Sequence, residues 1–161
     1  MLLIRIVLIA VSFPAYNAEF AGQLRALDQV ETGSRIFVLR RAACPEQDWR
    51  MSRLDMLPSL ATLRKQAWTN TQWTIPGLDM VRLKFDPSNG SKALLSPVVW
   101  DDGCPLNDGR SLDAAIAAAP LSGVDYLWLV DTGLPKTLPP ALVRQWQWHR
   151  SVLYRVRHIS G

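Results

Sequence analysis

Several signatures of common chemistry are missing from these 161 residues. There are two cysteines, Cys44 in "ACPEQ" and Cys104 in "GCPLN", and their spacing excludes a CxxC redox or zinc motif. In an oxidising compartment they could pair and staple two loops; in the cytosol they would be ordinary thiols. No glycine follows the first strand-like run, "RIFVLRRAACPEQDW", so the chain lacks the close backbone approach that a dinucleotide or phosphate loop needs. "SNGSKA" and "ISG" do not make a G-x-S-x-G nucleophile turn, and nothing in their context makes His149 or His158 a partner for Cys104. No catalytic residue is assigned, and no cofactor is implied.

Blocks of one charge are also absent. Net charge is +4, with basic residues scattered and densest near the C-terminus at Arg144, Arg150, Arg155 and Arg157 beside His149 and His158. Basic chains often meet nucleic acid or anionic lipid, but no basic-aromatic module, zinc-finger spacing or helix-turn-helix pattern is present, and a nucleic-acid partner is not expected. No internal repeat or low-complexity segment interrupts a composition that is 48% hydrophobic and 20% charged.

The apolar content is concentrated at the N-terminus. "MLLIRIVLIAVSF" is apolar from Met1 to Phe13 except for Arg5 and Ser12. As a helix these residues rise about 20 Å, short of the roughly 30 Å hydrocarbon layer of a bilayer. Three readings compete: a signal peptide, the trailing part of a membrane helix, and a buried core helix. A signal-peptide site needs small residues at −1 and −3, yet Ala18 has Tyr16 at −3 and Ala15 has Phe13.

Beyond it, Phe20, Leu24, Leu27 and Val30 share a helical face, so residues 1–31 read as a hydrophobic helix passing into an amphipathic one, with "TGSR" as its stop. Residues 32–161 read as a soluble α/β domain. Strands are expected at "RIFVL", "MVRLKF" and "VDYLWLV", a weaker one at "LLSPVVW", and a closing one at "SVLYRVRH". Helices are expected from Leu57 to about Ala67, capped by Asp55, from Ser111 to Ala119, and over "ALVRQWQWH". In the first of these Leu57, Leu60 and Leu63 should face inward, with Arg64 and Lys65 outward. The alternation predicts a three-layer, mostly parallel sheet of four to five strands with flanking helices.

In such a sheet ligands gather at the carboxyl ends of strands. The candidates there are Arg40, Arg41, Asp86, Asp101, Asp102 and Asp131. Adjacent aspartates could hold a hard cation, which would make a small metal-dependent enzyme; aspartate is also the commonest opening residue of a turn. Trp68 and Trp73 in "AWTNTQWTIPG" offer amphipathic rings suited to a glycan or lipid headgroup, or to plain packing.

The succession of a hydrophobic helix, an amphipathic one, "ETGSRIFVLR", "LPSLATLRKQAWTNTQWTIPG", "DYLWLVD" and "SVLYRV" resembles the C-terminal extracytoplasmic domain of polytopic bacterial membrane proteins of the GT-C glycosyltransferase-like class. The resemblance runs from about Phe20 to Val156. It implies a domain on the periplasmic side of the inner membrane, or a secreted one, whose partners are the lipid surface or the membrane portion of such a protein. It also implies that the catalytic acids lie in membrane-portion loops absent here, and that this chain is a fragment or truncated relative with Met1 inside the last membrane helix.

Overall fold

The computed structural model describes residues 2–42, 54, 56–71, 98–100 and 110–158. The elements are helix α1 (Leu2–Leu24), continued by a 3-10 turn (Arg25–Gln29), then β1 (Arg35–Ala42), and a 3-10 turn (Leu57–Ser59) leading into α2 (Leu60–Lys65). They continue with β2 (Trp68–Thr69), β3 (Val98–Trp100), α3 (Leu112–Ala117), β4 (Tyr126–Val130), β5 (Leu142–Trp148) and β6 (Ser151–Val156). The expected strand "MVRLKF", the cap Asp55, and Cys44, Trp73, Asp86, Asp101, Asp102 and Cys104 lie outside the described residues.

The strands form one sheet in the order β2-β1-β4-β6-β5, with β3 also paired to β1. Strand β4 covers one edge of β1 from Ile36 to Arg40. β2 and β3 therefore share the other edge, β2 opposite Arg35 and Ile36 and β3 opposite Arg40 to Ala42. Between them the side chain of Asn70 stands in for a strand: its Oδ1 accepts from Val38 N at 2.7 Å and its Nδ2 donates to Val38 O at 3.0 Å. The edge of β1 is thereby satisfied where strand backbone is interrupted, as buried backbone groups require.

The α/β class is as expected, but the sheet is mixed. β1 pairs in parallel with β2, β3 and β4, whereas β6 runs antiparallel to both β4 and β5. The cause lies in "ALVRQWQWH", which forms strand β5 instead of the expected helix. Trp148 pairs with Ser151, so only His149 and Arg150 connect β5 to β6, and a loop that short can join only antiparallel strands.

Side chains alternate between the faces of the sheet, as a period of two demands. Ile36, Val38, Tyr126, Trp128 and Leu153 pack with Leu24, Leu27 and Val30 from the first helical segment and with Leu57 and Ala61 from the second. On the opposite face Phe37, Leu39, Leu127, Leu129, Val152 and Tyr154 pack with Ala115 and Ile116 of α3. Ser111 caps α3 by accepting from Ala114 N at 3.1 Å, as its position suggests.

Helix α2 departs from expectation at Leu63, which is 80% exposed while Leu57 and Ala61 are buried. Leu57 lies in a 3-10 turn and only the following six residues are α-helical. A mid-segment change from three to 3.6 residues per turn rotates the later face, so a uniform period fails. Gln66, at φ 51, ends the helix in the left-handed region that glycine usually occupies.

Candidate functional site

Parallel pairing brings the carboxyl ends of β1, β3 and β4 to one rim of the sheet. Asp131 follows β4 there, at φ 55, and its N–H donates to the buried Ser151 Oγ at 2.8 Å. That bond places the start of β6, and with it the His149–Arg150 turn, at the same rim. Arg150 Nε stands 3.6 Å from Asp131 Oδ1, and Gly133 N donates to Arg150 O at 2.9 Å. Arg40 and Arg41, next to the end of β1 at Ala42, lie on this side, each half-buried.

Of the aspartates suggested for a cation, Asp131 alone is described, and its neighbour is an arginine. Among the described residues no group of three or more histidines, cysteines or acids is arranged to hold a metal. Trp68 lies on β2 and not in a loop: its backbone N–H donates to Ser34 O at 2.9 Å, and its ring packs, half-buried, on the Phe37 face of the sheet. Its partner in the suggested ring pair, Trp73, is outside the described residues.

The opposite rim holds the best-defined polar cluster. Arg35 donates from Nε and Nη2 to Asp125 at 3.1 and 2.9 Å, and from its backbone N to Asp125 Oδ2 at 2.8 Å. Asp125 N returns a bond to Arg35 O, and Asp125 O accepts from Val156 N, so one residue joins β1, β4 and β6. The Arg35 guanidinium holds the Asp125 carboxyl below its ordinary range, through these hydrogen bonds first, against the opposing effect of partial burial. A cleft of about 270 Å³ opens beside it, lined by Glu31, Gly33, Asp125, Arg155 and His158 among others. Arg155 pairs with Glu31 at 2.9 Å, and His158 Nε2 lies 3.9 Å from Asp125 Oδ1. The charges here are largely matched, an arrangement that stitches strands and offers no unopposed acid, base or nucleophile. Sequence reading missed both Asp125 and Asn70, because single polar residues flanking strands carry no local signal of their long-range partners.

The C-terminal basic stretch is divided between the two rims. His149 and Arg150 stand at the carboxyl rim, Arg155 and His158 at the other.

The largest exposed feature is α1. Ile4, Ile6, Val7, Leu8, Val11 and Phe13 are all more than half exposed, whereas Leu24, Ala26 and Leu27 are buried in the core. Ile4–Gln29 is apolar enough to cross a membrane or to act as a signal sequence, and its most apolar window buries nothing against the domain. At the base of the exposed part, Phe13, Tyr16, Asn17, Glu19, Phe20 and Leu54 line an apolar groove of about 320 Å³. Just below it Gly22 meets the Trp148 ring so closely that a Cβ there would stand 2.6 Å from Cε2 and Nε1.

Compared with known proteins, the chain matches no family model, no curated sequence and no solved structure. Fold and site together define an α/β domain built onto an apolar N-terminal helix.

Proposed function

We propose that this chain is a membrane-tethered α/β domain belonging to, or derived from, a GT-C glycosyltransferase-like integral membrane protein, with a supporting or docking role and no catalysis of its own. The domain stands on the periplasmic side of the bacterial inner membrane. The observation that carries the reading is α1: one uninterrupted helix is bare and apolar over its first half and embedded in the core at its C-terminal end. A helical stretch that is apolar but for Arg5 and Ser12 finds a favourable solvent in lipid, and a core-embedded continuation transmits that anchoring to the domain. The paired helix faces support taking the sheet as the middle of three layers, with the membrane beyond one rim. The GT-C part of the proposal rests on the order of segments described above.

The test begins with membranes from cells expressing the full chain. The protein should stay with the lipid after alkaline carbonate washing and need detergent for release. Leu8→Lys with Val11→Lys should move it to the supernatant, since each cation near a bilayer centre costs about 2.5–3.5 kcal/mol. Full-length protein that is monomeric and soluble without detergent would sink the tether. Supplied with a lipid-linked sugar and an acceptor, the purified chain should transfer nothing; turnover abolished by Asp131→Asn would sink the supporting role.

A further inference from the structure

We propose that the carboxyl rim of the sheet, at the β5–β6 turn and the residues after β4, is a contact surface for anionic phospholipid headgroups. The inference rests on the tether and adds to it a second, electrostatic point of contact. Its geometry starts from Gly22. Gly22 meets the Trp148 ring at the end of β5, so this point of α1 lies beside the rim where His149, Arg150 and Asp131 stand.

The heights agree. From Gly22 to Phe13, the last residue of the apolar run, the helix rises about 14 Å. Gly22 and the Trp148 ring it meets therefore lie within about 14 Å of the level of Phe13. A headgroup layer roughly 5–7 Å deep takes up about half of that distance. A long cationic side chain at the turn reaches across the rest.

The groups at the rim suit the occupant. Arg150 has a side chain 53% exposed, and its ion pair with Asp131 is long and solvated, so it contributes little and can yield to phosphate. His149 is exposed and stacks edge-on against Trp148, with ring centroids 4.5 Å apart. Leu134, 54% exposed, belongs to the segment tied to this turn by the Gly133–Arg150 hydrogen bond. Lys136 follows it and is exposed. An exposed leucine among cations suits the amphipathic headgroup region of an anionic bilayer.

The full chain would be reconstituted into nanodiscs of phosphatidylcholine, or of an equimolar mixture with phosphatidylglycerol, and amide exchange followed across residues 131–135 and 146–152. Exchange there should slow about fivefold in the anionic discs, the effect of one basic side chain near an anionic surface. Arg150→Glu should abolish the difference and Arg150→Lys should restore it, while protection of β4 stays constant as proof of folding. Equal exchange in both lipids, or slowing that survives Arg150→Glu, would overturn the headgroup contact and leave the tether intact. Failure of the chain to remain with the discs would overturn both.

Discussion

Asn70 makes the sharpest residue-scale case. It is buried, and both ends of its amide are spent on one backbone residue, Val38. Removing it strands a buried N–H and a buried C=O, so Asn70→Ala should lower the unfolding free energy by about 2–4 kcal/mol, read from chemical denaturation. Asn70→Asp should not rescue, because a carboxylate can still accept from Val38 N but turns a second acceptor toward Val38 O. An unchanged midpoint in either variant would show that β1 does not depend on the amide. Nothing around "WTNTQW" announces this role, since asparagine in such a polar run reads first as a turn former. The positive φ angles at Gln66, Asp131 and His149 were equally silent, for none of the three is glycine.

At the scale of elements, α1 and β5 show two kinds of legibility. The apolar and amphipathic halves of α1 follow from side-chain spacing alone, and the chain forms one helix across both. Strand β5 mixes the good helix formers Leu142, Arg144, Gln145 and Gln147 with Val143, Trp146 and Trp148, and its loop to β6 lacks the Asn-Gly or Asp-Gly that marks a hairpin. Pairing with β6 overrides that propensity, with an irregularity between Arg144 and Trp146. The two elements meet at Gly22 and Trp148. A Cβ on Gly22 would displace the indole, so Gly22→Ala should destabilise by about 1–3 kcal/mol, the range for overpacking. The same substitution made on top of Trp148→Ala should cost almost nothing further. Additive losses in that double-mutant cycle would refute a direct helix–hairpin contact.

For the whole molecule, Asp125 is the point where three strands are tied together. Its lowered carboxyl pKa fixes the sign of a pH effect. The charged form is favoured in the folded protein, so its contribution is complete above the unfolded carboxylate value of about 3.9 and fades as pH falls through the lower folded value. Asp125→Asn should therefore cost about 1 kcal/mol near neutrality, a modest figure because both partners are about a third exposed. The gap between wild type and variant should close below about pH 4, measured by thermal unfolding in detergent. A gap that stayed constant down to pH 2 would mean that the carboxylate charge is irrelevant to the tie.

The α/β class, the bare apolar start, the amphipathic continuation, the helix that begins at Ser111 and the strands around Phe37, Trp128 and Leu153 were determined by sequence alone. Each depends on neighbours within a few residues, where periodicity and propensity act. Only the tertiary structure decided the mixed sheet, the strand identity of β5, the outward turn of Leu63, and the roles of Asn70 and Asp125. Those depend on partners tens of residues away, such as Val38 for Asn70 and Arg35 for Asp125, and pairing energy at that range leaves no local pattern to read. The same long-range pairing sets the β5–β6 turn and the carboxyl ends of the parallel strands at one rim, because β4 and β6 are joined there through Asp131 and Ser151.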